Sequence, residues 1–148
     1  MKTKKVLRRL FGPLSNLVLE IELNDKDWVQ SCHFLKEAVD SSYRIKSFDK
    51  SEFKFSIQNV SSLTPFQRKI YEILVKVPAG KTETYKSLAM KAKAGRAYRA
   101  VGSAMRTNPL VLYVPCHRVL KSDGGLGNYS GTGGVLTKEA LLKIEKAL

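Results

Sequence analysis

One stretch decides the fold: RAYRAVGSAMRT, residues 96–107. At 100° per residue of an α-helix, Arg96, Arg99 and Arg106 fall within an arc of roughly 80°, and the apolar residues occupy the other side. The pattern predicts a helix with one basic face and one core face. Gly102 lies among the arginines, although glycine weakens a helix by roughly 1 kcal/mol relative to alanine. A close approach to another surface explains that glycine, and a merely solvated basic face is the alternative.

Two more helices are predicted just before this stretch. Thr64-Pro65-Phe66-Gln67 combines a capping hydroxyl, a proline at the first helical position and a glutamine three residues after the cap. Apolar residues at helical spacing follow until residues 78–80 end the helix. A second helix is predicted over residues 84–92, before Gly95. Three short helices, the third of them basic, predict a helix-turn-helix.

Residues 1–62 predict a separate N-terminal domain of mixed strand and helix, with a mainly structural role. Residues 16–23 and 27–34 are rich in apolar side chains and flank Asn24 and Asp25, which suits two strands joined by a tight turn. Serines and charged residues dominate residues 41–62, so a linker is expected near Ser61 and Ser62. Residues 63–148 are then the domain that carries the chemistry.

The positive charge is concentrated in that second domain. The whole chain has 26 Lys and Arg against 13 Asp and Glu, a formal net charge of +13. Residues 1–62 carry 11 basic and 8 acidic side chains, whereas residues 63–148 carry 15 and 5. Self-repulsion of this size destabilises a fold, so a polyanionic partner is expected. Nucleic acid is the first candidate and an anionic membrane the second, and a soluble basic protein without such a partner is the remaining alternative.

Cysteine usage and hydropathy further narrow the classes of protein to which the chain could belong. Cys32 and Cys116 are too few for a disulfide framework, which indicates an intracellular protein. The basic residues 1–10 are not followed by a signal-peptide pattern, and the apolar run at residues 110–114 is far too short to span a membrane. Cys32 and His33 have no further ligand nearby, so no metal is predicted. No glycine motif for a nucleotide cofactor is recognisable either.

A candidate nucleophile follows residues 110–114, which predict a buried strand closed by Pro115. Cys116 comes next, beside His117, and a thiol needs help to ionise below its free pKa of about 8.5. In an extended chain the two side chains would point to opposite faces, so a bridging water or a kinked backbone would be needed. A buried cysteine beside a hydrogen-bonded histidine is the structural alternative.

The end of the chain predicts a loop and a helix. Six of the ten glycines fall within residues 124–134, in a loop whose N–H groups can approach a ligand. Tyr129 in this loop indicates order. Residues 137–148 predict an amphipathic helix with Leu141, Ile144 and Leu148 on one stripe and Glu145 at its edge.

Five blocks together resemble one family, the O-6-alkylguanine-DNA alkyltransferases, also called methylated-DNA–protein-cysteine methyltransferases. The blocks are GKTETY at 80–85, RAVGSAMR at 99–106, NP at 108–109, PCHRV at 115–119 and GNYSG at 127–131. The resemblance spans residues 64–145. It implies an α/β (α+β) fold with a small N-terminal mixed domain and a helical C-terminal domain containing a winged helix-turn-helix.

The resemblance also implies roles for individual residues. Cys116 is the alkyl acceptor, His117 activates it through a water molecule, and Glu145 orients His117. Tyr85 acts on the flanking phosphate and the flipped base, and Arg99 fills the vacancy in the base stack. The other implied residues are the DNA contacts Arg96, Ala100, Gly102 and Arg106, the substrate-pocket residues Met105, Val119, Asn128, Tyr129 and Ser130, and the structural Asn108.

The implied function is DNA repair by direct reversal. The alkyl group of O-6-alkylguanine, and less well that of O-4-alkylthymine, moves irreversibly to Cys116 after the nucleotide flips out of double-stranded DNA. Flipping is required because a lesion inside a duplex is out of reach. We expect a monomer without metal, cofactor or membrane contact, associated with the nucleoid in the cytoplasm, or nuclear in a eukaryote.

Three other functions fit part of the pattern. Alkyltransferase-like proteins bind the lesion and recruit other repair factors without reacting, but they typically lack the acceptor cysteine that Cys116 supplies. A thiol hydrolase using Cys116 and His117 needs no basic helix. A helix-turn-helix transcription factor would bind with tight sequence selectivity, which a basic helix of small residues entering the minor groove does not favour.

Overall fold

The computed structural model describes residues 2–37, 39–40, 42–129 and 131–148. It divides into two compact units. One combines Met1–Ser62 with Pro109–Tyr113, and the other combines Leu63–Asn108 with Val114–Leu148. Residues 109–113, which the sequence assigned to the C-terminal domain, thus group with the N-terminal unit.

The first unit is built on a three-stranded antiparallel sheet. Its strands are β1 (Lys4–Arg9), β2 (Val18–Leu23) and β3 (Val29–Phe34), in the order β1-β2-β3. The predicted pair of strands is confirmed as β2 and β3, with Asn24 Oδ1 accepting from the backbone N–H of Trp28 at 2.9 Å in the turn between them. Strand β1 was missed because KKVLRR carries more basic than apolar side chains. Short 3-10 turns lie at Gly12–Leu14, Lys50–Glu52 and Ile57–Asn59.

The predicted strand at residues 110–114 is wrong, although its burial is correct. All five residues are buried. The Cys32 N–H donates to the Pro109 carbonyl at 2.8 Å, and the Val111 N–H donates to the Cys32 carbonyl at 3.1 Å, so the segment starts along β3. Leu112 then has a φ of 68°, in the left-handed region that a regular strand excludes.

The second unit contains four helices and a short parallel ladder. In chain order its elements are α1 (Pro65–Leu74), β4 (Glu83–Thr84), α2 (Tyr85–Lys91), α3 (Tyr98–Arg106), a 3-10 turn (Cys116–Arg118), β5 (Val119–Leu120) and α4 (Gly134–Ile144). Strand β4 pairs in parallel with β5. The expected mixed α/β architecture is confirmed. Within the described ranges, no helix has the length and apolarity that a membrane crossing requires.

Both helices that precede α3 begin where the sequence predicted. Thr64 forms a full capping box: Thr64 Oγ1 accepts from the Gln67 N–H at 3.1 Å, and Gln67 Oε1 accepts from the Thr64 N–H at 2.9 Å. Thr84 and Ser87 form the equivalent box on α2. Helix α1 ends at Leu74, earlier than predicted, and turns lead on to Gly80.

Helix α3 is shorter than predicted and depends on its packing. Arg96 lies in the preceding turn, and no side chain caps the helix N-terminus. Val101, Ala104 and Met105 form its buried face. The hydroxyl of Tyr71, itself buried, donates to the Ala104 carbonyl near the C-terminal end of α3, where carbonyls lack helical partners.

Helix α4 buries a different face from the predicted one. It begins at Gly134 rather than residue 137 and ends at Ile144. Of the predicted stripe, Leu141 is buried, whereas Ile144 is 36% and Leu148 is 56% exposed. The face that packs inward consists of Thr137, Lys138, Leu141 and Leu142. The stripe prediction is wrong because a lysine takes one of the core positions.

Removing the Tyr71 hydroxyl tests how α3 is held. In Tyr71→Phe, the Ala104 carbonyl loses its donor in a buried place, so the free energy of unfolding should fall by about 1–3 kcal/mol. Urea denaturation followed by circular dichroism measures this. Tyr43→Phe is the matched control, because Tyr43 is 66% exposed. Equal stabilities of the two variants would contradict a structural role for this hydrogen bond.

Candidate active site

The backbone turns sharply at the candidate nucleophile. Residues Cys116–Arg118 form a 3-10 turn, and all three are buried. The Cys116 N–H donates to the Val114 carbonyl at 2.7 Å, and the Arg118 N–H donates to the Pro115 carbonyl at 2.9 Å. The chain is therefore kinked rather than extended, so the alternation of side chains that would separate Cys116 from His117 does not apply.

The Cys116 thiol is buried, with 5% of the residue exposed. Burial raises the pKa of Cys116 above its ordinary value. A hydrogen bond from the Asn108 side chain, the positive charge of Lys138 and the backbone amides of Cys116 and His117 oppose this rise without cancelling it. The thiol is thus protonated near neutral pH and needs a proton acceptor to become a nucleophile.

His117, the next residue, is the candidate for that acceptor. Its Nε2 lies 3.0 Å from Glu145 Oε2. An ionised carboxylate can only accept, so Nε2 carries the proton and Nδ1 keeps a lone pair. Nδ1 is buried and has no hydrogen-bond partner among the described residues. Burial lowers the pKa of His117, which keeps the ring neutral near pH 7.

Arg118 holds the carboxylate of Glu145, the hydrogen-bond partner of His117. Its Nε donates to Glu145 Oε1 at 2.9 Å and its Nη2 donates to Glu145 Oε2 at 2.6 Å, a bidentate pair. The third arm, Nη1, donates to the Val77 carbonyl at 2.7 Å. Burial works to raise the pKa of Glu145, but hydrogen bonds from Arg118 and His117 outweigh it and hold the pKa at about 2. The sequence analysis counted Arg118 only as one of the basic residues of the second domain. Its position directly after His117 could have indicated that it belongs to the site.

Lys138 is a second buried cation that sequence reasoning missed. It is fully buried, and its Nζ donates to the Val119 carbonyl at 2.6 Å. The same Nζ lies 6.0 Å from the centre of the Tyr85 ring. Burial lowers the pKa of Lys138 to about 8, against the opposing effect of Cys116. The carbonyl of Val119, one of the expected substrate-pocket residues, therefore already accepts a hydrogen bond within the protein.

Most of the expected contact residues gather around one cavity of about 570 Å³. Its wall consists of Tyr85, Tyr98, Arg99, Gly102, Met105, Arg106, Cys116, Lys121, Gly127, Asn128 and Tyr129. Three expected residues are not part of that wall. Arg96 and Ala100, close in sequence to the wall residues Tyr98 and Arg99, are exposed, and Val119 is buried. Ser130 lies outside the described residues. Tyr98 and Lys121 are wall residues that sequence reasoning did not place at the site.

The α3 side of the cavity is open to an external partner. A Cβ at Gly102 would meet Arg106 Nη1 at 3.8 Å, which is ordinary contact, so the packing of the protein itself does not require glycine there. Arg99 and Ala100 are exposed on the same helix. Asn108, just after α3, donates from Nδ2 to the Val114 carbonyl at 3.0 Å. This bond joins the end of α3 to the segment that leads into the 3-10 turn at Cys116–Arg118, called the nucleophile turn below.

The fold and the site together define a class: a helix-turn-helix domain with a cavity lined by a cysteine that a histidine follows. Residues 65–147 match the family described as 6-O-methylguanine DNA methyltransferase, DNA binding domain. The chain is 38% identical over 125 residues to the methylated-DNA–protein-cysteine methyltransferase of Methanosarcina barkeri. The aligned region covers 81% of this chain and 73% of that protein.

Solved structures agree with the sequence matches. The Mycobacterium tuberculosis OGT in complex with DNA has a TM-score of 0.71 at 25% identity, covering 95% of this chain and 92% of that one. The O6-methylguanine-DNA methyltransferase of the hyperthermophilic archaeon Pyrococcus kodakaraensis has a TM-score of 0.63 at 29% identity, covering 97% and 99%. This chain belongs to the methylated-DNA–protein-cysteine methyltransferase family of DNA-repair enzymes. The family expected from the sequence is confirmed.

The ionisation of Glu145 gives a pH-dependent test of the relay. Its pKa of about 2 lies below its ordinary value of 4.5, so the pair with Arg118 stabilises the fold above pH 4.5 and stops doing so as the pH falls toward 2. Glu145→Gln should therefore lower the free energy of unfolding most near pH 7, and this difference from wild type should shrink progressively below pH 4.5.

Urea denaturation at a series of pH values measures that difference. The control is Glu139→Gln, which removes only an exposed ion pair with Lys143 on α4. Its effect should stay below about 1 kcal/mol at every pH. A Glu145→Gln effect that did not change with pH would show that Glu145 is not held ionised by Arg118.

Proposed function

We propose that this chain repairs double-stranded DNA by accepting the alkyl group of O-6-alkylguanine on Sγ of Cys116, once per molecule. O-4-alkylthymine is a poorer substrate. The observation that carries the proposal is the position of Cys116 in the wall of the cavity, directly followed by a neutral His117 whose other nitrogen is held by Glu145. Family membership supports the same chemistry.

The first step is removal of the thiol proton. Nδ1 of His117 accepts it through a bridging water, and the ring becomes an imidazolium. Glu145 stabilises that cation from Nε2, in the manner of the acid in a nucleophile–histidine–acid triad. Arg118 keeps the carboxylate ionised and correctly oriented for this purpose. The charge of Lys138 favours the thiolate.

The second step is displacement at the alkyl carbon. The Sγ–C bond forms as the C–O6 bond breaks, and the electron pair of that bond stays with the guanine. The Tyr85 hydroxyl and an N–H of the glycine loop near residue 130 stabilise the leaving base. The guanine takes up one proton, which balances the one removed from Cys116. The product is a thioether, which water does not cleave, so each molecule acts once.

Access to the lesion requires extrusion of the nucleotide, which costs a few kcal/mol of stacking and pairing. We place Arg99 in the vacated position of the base stack and the small residues of α3 against the minor groove. The basic excess of residues 63–148 supplies the attraction to phosphates. A structure of the related OGT in complex with DNA supports DNA as the partner of this chain. Monomeric action at the nucleoid, or in a nucleus, is part of the same proposal.

Mass spectrometry tests alkyl transfer directly. One equivalent of a duplex carrying a single O-6-methylguanine should add one methyl group to the wild-type chain, and peptide mapping should locate it on Cys116. The Cys116→Ser variant should stay unmodified. Tighter binding of the damaged duplex without any methyl transfer would contradict the proposal and favour a lesion-binding protein that does not react.

Replacing Arg99 separates extrusion from chemistry. Arg99→Ala should slow transfer from duplex DNA by about tenfold or more, because losing roughly 1.4 kcal/mol of the extrusion energy is a factor of ten. Transfer from the free base O-6-benzylguanine, which needs no extrusion, should change less than about twofold. The control is Arg44→Ala, an exposed arginine of the first unit. Equal losses on both substrates would exclude the role in extrusion.

A further inference from the structure

Lys121 is a cation of the cavity wall that the steps above do not use. It follows β5 directly, is exposed, and lines the same cavity as Cys116 and Tyr85. In the part of the chain that the structure describes, no carboxylate pairs with it, whereas Arg118 and Lys91 are both in ion pairs. Its charge is therefore available to a ligand at the mouth of the cavity.

The backbone of Lys121 is held in a fixed turn. Its N–H donates to the Gly125 carbonyl at 2.9 Å, and its carbonyl accepts from the Gly124 N–H at 3.0 Å. Asp123, an acidic residue of the same turn, uses its Oδ1 to accept from the Gly125 N–H at 2.8 Å. These bonds fix the backbone of the turn, and Asp123 Oδ1 and Lys121 Cδ both pack against Gly125, 3.0 Å and 3.5 Å from the position a Cβ would take there.

The side chain of Lys121 lies close to the Tyr85 hydroxyl, across a glycine. A Cβ built on Gly127 would lie 3.5 Å from Lys121 Cγ and 3.3 Å from the Tyr85 hydroxyl oxygen. Gly127 also has a φ of +71°, which side chains rarely adopt. The stem of the Lys121 side chain, the Tyr85 ring and the backbone of Gly127 therefore pack together at one edge of the cavity. Because the Tyr85 hydroxyl is assigned to the leaving base, Lys121 is the donor at this edge that remains for a phosphate.

We propose that Lys121 binds the phosphodiester adjacent to the extruded nucleotide and holds it at the edge of the cavity while the base is inside. The inference rests on the proposed function, because it concerns the nucleotide whose base reaches Cys116. Extrusion swings the flanking phosphates toward the cavity mouth together with the sugar. A lysine that contacts the groove in general favours intact and damaged DNA equally, whereas Lys121 favours only the extruded state.

The test is a double-mutant cycle between one lysine and one phosphate. Duplexes carry O-6-methylguanine with a neutral methylphosphonate on its 5′ side, on its 3′ side, or several nucleotides away, and are compared with the unmodified duplex. Each reacts with wild type, Lys121→Met and Lys121→Arg, and single-turnover transfer to Cys116 is followed by mass spectrometry. Lys86→Met, an exposed lysine of α2 outside the cavity wall, is the matched control.

In wild type, neutralising one flanking phosphate should slow transfer roughly three- to fivefold, the upper part of the range for an exposed ion pair. In Lys121→Met the unmodified duplex should already be slower by a similar factor, and the same methylphosphonate should then change the rate less than about twofold. Lys121→Arg should restore the phosphate effect. The distant methylphosphonate should show no coupling to Lys121.

Each alternative outcome has a definite meaning. Full effects of both flanking methylphosphonates in Lys121→Met would overturn the proposal, and so would equal coupling with Lys86→Met. Equal weakening of intact and damaged duplex binding in Lys121→Met would also overturn it, as a general groove contact. If wild type failed to alkylate Cys116, the proposed function would fail instead, and the same cycle read as binding affinity for the damaged duplex would still decide the role of Lys121.

Discussion

The site depends on the bidentate ion pair between Arg118 and Glu145. Glu145 follows the last residue of α4, Arg118 ends the nucleophile turn, and the third arm of the guanidinium reaches the Val77 carbonyl. Three separate segments of the second unit therefore meet at one guanidinium. Because the pair keeps Glu145 ionised, it also sets the tautomer of His117 and leaves a lone pair on Nδ1. A buried carboxylate without this partner would be strongly destabilising.

The basic residues of this unit divide into two groups with opposite roles. Arg118 and Lys138 are buried and satisfied by oxygen atoms of the protein, where they act on Glu145 and Cys116. Arg99, Arg106 and Lys121 are exposed around the cavity, where they are available to an external polyanion. A net charge counts both groups together. The surface excess is correspondingly smaller than the composition suggests, and three of its members, Arg99, Arg106 and Lys121, line the cavity.

The sequence predicted features that local chemistry dictates. The Thr64 capping box, the start of α2 and the β2–β3 pair are set by residues close together in the chain, and the family resemblance implied Cys116, His117 and Glu145 as one group. What it missed depends on contacts distant in sequence. Lys138 occupies a core position of α4 only because the Val119 carbonyl receives its ammonium, and residues 109–113 leave the regular strand geometry at Leu112. No periodicity encodes either arrangement.

The resting site keeps the Cys116 thiol inactive, and this suits the proposed function, in which the protein reacts once. Burial raises the pKa of Cys116, so the thiol is protonated, and burial lowers the pKa of His117, so no imidazolium stands ready to stabilise a thiolate. A permanently ionised thiolate would react with any small electrophile that entered the cavity, and a thioether cannot be reversed. In the proposed sequence of steps the thiol is ionised only transiently, so alkylation is confined to a substrate that both fills the cavity and carries a leaving group beside Tyr85. In that scheme the neutral Cys116–His117 pair provides the selectivity, and the carboxylate of Glu145, kept ionised by Arg118, stabilises the imidazolium when it forms.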